Sequence, residues 1–221
     1  MLDDRVLAPA RTTVATSGGW ALLAGGATGA ASALYLAFVP PAVGEDQFSF
    51  PLGVGAFTAV QLFFCVHHLA LAYGLLAVWR SGLAGTGRLA AVGGLGAALS
   101  MAALAAQELV VIGVAEAPYP SPETDAVGGV YGVLSLLNGA ALIVFGVAAL
   151  RAGRWQGWRR SLLLATGVYV IVPLTPAIMG PFVLARLTIG AWMLLFAALG
   201  WALLHPEPAR PSSARADGNG S

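Results

Sequence analysis

The stretch from Gly53 to Trp79 is almost wholly apolar, and it carries two adjacent histidines, His67 and His68, near its centre. About 20 apolar residues in an α-helix cross a hydrocarbon core about 30 Å thick, so this stretch is long enough to span a bilayer. An ionisable side chain inside such a helix is costly to bury unless a partner or a water-filled cavity receives it. The stretch therefore predicts a transmembrane helix with functional residues at its centre.

The rest of the chain repeats this apolar character. In 221 residues the hydrophobic fraction is 58% and the charged fraction 10%, with a mean hydropathy of +0.80, values typical of membrane proteins that cross the bilayer several times. We predict an all-α, six-transmembrane-helix bundle over residues 19–204, preceded by a short polar segment at 1–18 and followed by a disordered tail at 205–221. A cleaved signal peptide is the alternative for the first apolar run, but its length and the following Pro40 and Pro41 favour a retained helix.

The distribution of arginine predicts the orientation. All eleven basic residues are Arg, a usage typical of G+C-rich bacterial genomes, and all but Arg186 fall in the termini or in the loops at 80–88 and 151–160. The alternate loops carry only acids, namely Glu45, Asp46, Glu116, Glu123 and Asp125. Because Lys and Arg accumulate in cytoplasmic loops, we expect both termini in the cytoplasm of a bacterial cell and the bundle in its inner membrane.

Helix rise places the polar residues of the membrane region in layers. At 1.5 Å per residue, His68 and Asn138 lie near the midplane, while Gln61, Glu108 and Arg186 share a layer about 10 Å nearer the outside. Spacings of three, four and seven residues put Gln61, Cys65 and His68 on one helix face. The same spacing groups Thr28, Ser32 and Tyr35, and it groups Tyr131, Ser135 and Asn138.

We expect these faces to point inward and to form a polar pocket open to the outside. The candidate ligand-binding residues are Gln61, His68, Glu108, Asn138 and Arg186. In the sixth helix Arg186 continues into Gly190, Met193, Ala197 and Gly200, a small-residue face of the kind that packs against other helices. Pro173 and Pro176 are expected to interrupt the fifth helix.

Each candidate also has a purely structural interpretation. Glu108 and Arg186 are equally compatible with an ion pair that joins the third and sixth helices. His68 is compatible with a hydrogen-bonded core histidine, and Asn138 with an interhelical hydrogen bond. His67 points about 100° away from His68, which favours contact with a neighbouring helix or a second protomer.

No cofactor is expected. Adjacent histidines on a helix diverge and cannot bind one metal ion or haem iron from one face, and the remaining His205 lies too far down the bundle. The single Cys65 excludes an intramolecular disulfide. The sequence contains no phosphate-binding loop, zinc-protease motif or nucleophile elbow, so an enzyme is the third-ranked class.

Two functions from different classes remain. The first is the binding or transport of a small polar or amphipathic molecule, or of a proton through His68 and Glu108. The second is a non-catalytic membrane scaffold or partner subunit, in which the polar residues only specify packing. Besides the lipid bilayer, a homo-oligomer or a membrane partner protein is compatible with the sequence, and the net charge of +1 gives no indication of a nucleic-acid partner.

Overall fold

The computed structural model describes the backbone of residues 4–205 and the side chains of residues 13–205. Over this range the chain is all-helical, without a β-strand, and six helical segments are long and apolar enough to cross a membrane. The helices are α1 (Asp4–Phe38), α2 (Val54–Ser81), α3 (Arg88–Ile112), α4 (Pro122–Ala152), α5 (Leu162–Tyr169), α6 (Thr175–Ile178) and α7 (Phe182–Leu204). Apart from His205, the tail predicted at 205–221 lies outside the described residues, as do residues 1–3 of the N-terminal segment.

Two helices begin earlier than their apolar runs. Helix α1 already starts at Asp4, and α4 starts at Pro122 rather than near Val127. The start of α4 is a capping box, in which the Ser121 side chain accepts from the Thr124 backbone N–H and the Thr124 side chain accepts from the Ser121 N–H. The acids of the first turn, Glu123 and Asp125, favour this helix end electrostatically, so residues that resemble a polar loop form its first turn.

The fifth segment that is long and apolar enough to cross a membrane is Gly157–Ile178, and it is interrupted as expected. A 3-10 turn at Gly157–Ser161 leads into α5, and a π-helical turn at Val170–Leu174 contains Pro173. The carbonyl of Val170 accepts from both the backbone N–H and the hydroxyl of Thr175, the latter at 2.7 Å. This satisfies a group that the widened turn would otherwise leave unpaired in an apolar environment.

The spans pack as a ring in chain order. Each span contacts the next one along the chain, and α7 closes the ring by packing against α1, which is the most extensive helix contact of the molecule. The contact between the fifth segment and α7 is the sparsest in the ring. The core takes buried side chains from every span, among them Leu22, Leu71, Met101, Phe145, Leu163 and Phe196.

Glycines set the distance between α1 and α7. A Cβ added to Gly26 would lie 2.3 Å from the backbone nitrogen of Ala197, and one added to Gly200 would lie 2.4 Å from that of Leu23. Backbones can approach this closely only where the side chain is a hydrogen atom. The small-residue face predicted on the last helix is therefore confirmed as a packing surface, and α1 is its partner.

We call the two ends of the bundle the acidic end and the basic end. At the acidic end the loops 39–53 and 113–121 pair with each other, through the backbone N–H groups of Phe48, Ser49 and Tyr119 and the carbonyls of Ala117, Ala115 and Asp46. A small buried cluster of Leu36, Leu52, Phe57, Val111 and Ala115 lies under these loops. The paired loops 39–53 and 113–121 cover the ends of α2 and α3 at the acidic end, above the predicted polar layer. At the basic end, short turns join α2 to α3 and α4 to the fifth segment.

Candidate functional site

Glu108 is the centre of a polar cluster shared by three consecutive helices. It lies on α3 and is only 4% exposed. The Tyr131 hydroxyl on α4 donates to Glu108 Oε2 at 2.6 Å, and His68 Nδ1 on α2 lies 3.3 Å from Glu108 Oε1. Both carboxylate oxygens of a nearly buried side chain are thus engaged by neighbouring helices.

Helix direction explains why these side chains meet. Side chains lean toward the N-terminus of their own helix. Helices α2 and α4 run in one direction and α3 in the other, so His68 and Tyr131 lean toward the acidic end while Glu108 leans away from it. The three side chains therefore converge although their helix positions lie at different depths.

His68 Nδ1 has two acceptors within reach. Besides Glu108 it lies 2.9 Å from the carbonyl oxygen of Phe64, one turn earlier in α2. Because a carbonyl and a carboxylate both accept, Nδ1 is assigned as the nitrogen that carries the proton in the neutral ring. Nε2 is then the ring position open to a second proton, and its protonation would turn the contact with Glu108 into an ion pair. The His68 side chain is 13% exposed.

The direct ion pair between Glu108 and Arg186 is not formed. No charged atoms of the two side chains come within 4.0 Å, although they are close enough to interact electrostatically. The Arg186 guanidinium instead lies over the Phe182 ring, with Cζ 4.8 Å from the ring centroid. Since α7 packs mainly on α1 and Arg186 leans back toward the start of α7, its side chain does not cross to α3.

Asn138 lies apart from this cluster. Its side chain is fully buried, and Nδ2 donates to the Ala97 carbonyl and to Ser100 Oγ, both at 3.0 Å. Ser100 precedes Glu108 by eight positions, about 12 Å along α3. The contact is an interhelical hydrogen bond between α3 and α4, as in the structural interpretation of this residue. Asn138 Oδ1 has no partner among the described residues.

Gln61 and His67 occupy different faces of α2. Gln61 is buried on the face of His68, two turns nearer the acidic end, and its side chain makes no hydrogen bond within residues 13–205. His67 faces α1, where Nε2 lies 2.8 Å from the Gly25 carbonyl, while its buried Nδ1 finds no partner in the described chain. The prediction that His67 contacts a neighbouring helix is confirmed.

The prediction that the polar face of the first helix points into the bundle is wrong. Thr28 and Tyr35 are exposed on the outside of the bundle, and the hydroxyls of Thr28 and Ser32 donate to carbonyls of their own helix. A hydroxyl that bonds to the preceding turn needs no inward partner. The inward face of α1 consists of glycines and of apolar residues such as Leu22, Ala33 and Leu36, so a search for polar periodicity cannot identify it.

Two open grooves on the surface of the described chain lie away from the cluster. One, of about 260 Å³, is an apolar groove between α1 and α2 lined by Ser32, Tyr35, Leu36, Ala59, Val60 and Phe63. The other, of about 340 Å³, lies at the basic end. Within residues 13–205 no group of three or more His, Cys, Asp and Glu side chains is arranged to hold a metal ion.

Sequence reasoning brought His68 and Glu108 together but missed the role of Tyr131. The tyrosine shares a helix face with Asn138, seven positions later, and this spacing was the available signal. A second missed contact is the hydrogen bond of 2.6 Å between the hydroxyls of Ser17 and Tyr73, which joins α1 to α2 nearer the basic end.

Comparisons with protein-family models, with curated proteins and with solved structures found no match.

Proposed function

We propose that the protein is a multi-pass inner-membrane protein of a bacterium, with the basic end and both termini in the cytoplasm. Support comes from the six apolar spans and from the charges of the described loops. Arg80, Arg88, Arg151, Arg154, Arg159 and Arg160 lie at the basic end, and acids alone occupy the loops of the other end. Positive charge close to the membrane favours the cytoplasmic side.

Within this bundle we infer that the cluster of His68, Glu108 and Tyr131 binds a proton and couples it to the binding or transport of a small polar or amphipathic molecule. The observation that carries this proposal is the engagement of a nearly buried carboxylate by a histidine and a tyrosine from its two neighbouring helices. Ionisable residues that face the interior of a membrane bundle commonly mark proton relays and substrate pathways.

Arg186 supplies the link to a ligand. Its guanidinium has no carboxylate within 4.0 Å in the described chain, yet it interacts electrostatically with Glu108. While Glu108 is charged, it attracts the guanidinium and repels an approaching anion. Protonation of Glu108 removes both effects and leaves Arg186 available to an anionic group. A proton and an anionic or zwitterionic molecule would therefore bind together, the relation expected of a proton-coupled carrier.

Proton binding by the cluster can be measured on the whole chain in detergent. Histidine ring signals would be assigned with His67→Gln and His68→Gln and followed by NMR from about pH 5 to 8, the range in which histidine changes charge. We expect the His68 signal to change, because it reports a proton shared by the coupled pair whichever group carries it. Glu108→Gln should shift or abolish this change, whereas Glu123→Gln, an exposed acid of α4, should leave it intact. A His68 signal that is flat over the range in folded protein would reject the proposal.

The competing proposal is a non-catalytic scaffold, and two observations favour it. Asn138 and His67 join neighbouring helices, and neither of the two surface grooves described above borders the polar cluster. In a scaffold the cluster would specify packing between α2, α3 and α4 and would exchange no proton with the solvent. The same titration separates the two, since a dry cluster leaves the His68 signal constant.

A further inference from the structure

The cavity of about 340 Å³ at the basic end is lined mostly by polar groups. Its walls are formed by Leu150, Gly153, Trp155, Gln156, Gly157 and Arg160, in the turn between α4 and the fifth segment. Its volume falls at the lower end of the range of small-ligand sites, about 300 to 1,000 Å³. Arg160 and Gln156 are exposed, and neither side chain makes a hydrogen bond within the described residues. The groove therefore presents unengaged hydrogen-bond donors.

A buried tryptophan and two glycines in the left-handed backbone conformation fix the shape of this turn. Trp155 is 8% exposed and belongs to the main core. Gly153 and Gly157 adopt φ values of 62° and 56°, a region that side-chain-bearing residues rarely enter. Arg154 is tied to α2 by a hydrogen bond from its guanidinium to the Gly82 carbonyl. Anchoring of the turn fixes the groove in place before any ligand arrives.

The charged side chains described around the groove all carry positive charge. The described side chains at the basic end include six arginines and no acid, since the acids of residues 13–205 all lie at the acidic end or in the cluster of Glu108. A guanidinium near unpaired amide donors matches the geometry of a phosphate group. The groove thus favours an anion with several acceptor oxygens.

The surroundings place this groove at the boundary of the apolar spans. Leu150 belongs to the last turn of α4 and is partly exposed. Nearby, Trp158 stacks on Trp201 with ring centroids 5.9 Å apart, and Arg159 lies 5.3 Å from the Trp201 ring. Tryptophans of this kind occupy the level of lipid headgroups.

We propose that this groove binds the phosphate headgroup of an anionic phospholipid, with the acyl chains beside the end of α4. This inference rests on the membrane insertion proposed above but not on proton binding by Glu108. Basic pockets at the cytoplasmic end of transmembrane helices recognise such headgroups through the same arrangement of arginine beside an apolar surface.

The test is lipid binding to the full-length protein in neutral detergent, followed by native mass spectrometry with phosphatidylglycerol or phosphatidylcholine. We expect preferential binding of phosphatidylglycerol. Arg160→Gln should weaken it about fivefold, which corresponds to about 1 kcal/mol for one arginine near the lipid surface. Gln156→Ala should weaken it in the same direction and serves as a second variant. Arg88→Gln removes an exposed charge from the same end outside the groove and is the matched control.

Three outcomes would overturn the proposal. Equal binding of the two lipids would show that charge is not recognised. An equal loss in Arg88→Gln would assign the preference to diffuse surface charge, and displacement of the lipid by inorganic phosphate would identify a site for a soluble anion. None of these results bears on the titration of His68, so the two proposals fail separately.

Discussion

Tyr131 makes the shortest side-chain contact of the polar cluster, at 2.6 Å from Glu108. Tyr131→Phe removes only the hydroxyl and leaves Glu108 Oε2 without its donor in a site that water scarcely reaches. We expect the free energy of unfolding to fall by about 1 to 3 kcal/mol, the cost of an unsatisfied buried polar group. Thermal unfolding in detergent measures this loss. Tyr35→Phe, at an exposed tyrosine of α1, should change stability by about 0.5 kcal/mol at most.

A double-mutant cycle identifies the partner of Glu108. Tyr131→Phe and Glu108→Gln should be coupled, because the second change alters the acceptor of the hydrogen bond that the first removes. Glu108→Gln and Arg186→Gln should be closer to additive, since the two charges do not touch. Stronger coupling of Glu108 to Arg186 than to Tyr131 would contradict the contacts described here.

The inward helix faces predicted that His68 and Glu108 belong to one site, although depth put them in different layers, and depth put Arg186 in the wrong place relative to Glu108. Depth locates a residue along the membrane normal, and the face gives its direction from one helix axis. Neither quantity tells which helices are neighbours. Arg186 shares a layer with Glu108 yet belongs to a helix that packs mainly on α1, so the ion pair that the shared layer allowed is not formed.

Among the helices, the α1–α7 interface depends on the absence of side chains. Gly26→Ala would place a methyl group 2.3 Å from the Ala197 nitrogen and force the two backbones apart. Overpacking of this kind costs about 1 to 3 kcal/mol, which thermal unfolding in detergent should detect. Gly132→Ala is the control, because nothing lies within 4 Å of its added Cβ. Alanine there should leave stability unchanged or raise it by up to about 1 kcal/mol. Equal effects of the two changes would exclude close packing at Gly26.

Helix ends and interruptions were predictable to different degrees. Pro173 predicted a break in the fifth span, but only the structure shows that the break is a π-helical turn closed by Thr175. The start of α4 was missed because Glu123 and Asp125 were counted as loop residues, although a Ser-Pro pair precedes an acidic first turn here. Hydropathy marks the apolar part of a helix and not its capped polar turns.

Orientation is a property of the whole molecule and can be tested with single cysteines on a Cys65→Ala background. Thr86→Cys and Gln156→Cys, at exposed positions of the basic end, should resist a membrane-impermeant thiol reagent in intact cells. Glu116→Cys, exposed in the loop of the acidic end, should react, because that end is expected outside. Permeabilised cells provide the control for reactivity. Labelling in the reverse sense would place the termini on the opposite side.

Only some of the contacts between helices could be predicted from sequence patterns. Short loops make sequence neighbours pack together, and the contacts from α1 to the fifth segment follow that rule. The closing contact joins the two helices farthest apart in the chain. Gly190 and Gly200 predicted that α7 has a packing face. The matching glycines of α1 lie among alanines, so the sequence of α1 shows no face that differs in polarity from the rest of the helix.

The glycine contact between α1 and α7 has a consequence for biosynthesis. The ribosome delivers α1 before α7, so the face of α1 around Gly19 and Gly26 is made before its partner helix exists. In the membrane that we propose, lipid chains or another helix would have to cover this face until α7 is made. A nascent chain that stops before Phe182 would leave this face of α1 without the contacts that α7 supplies.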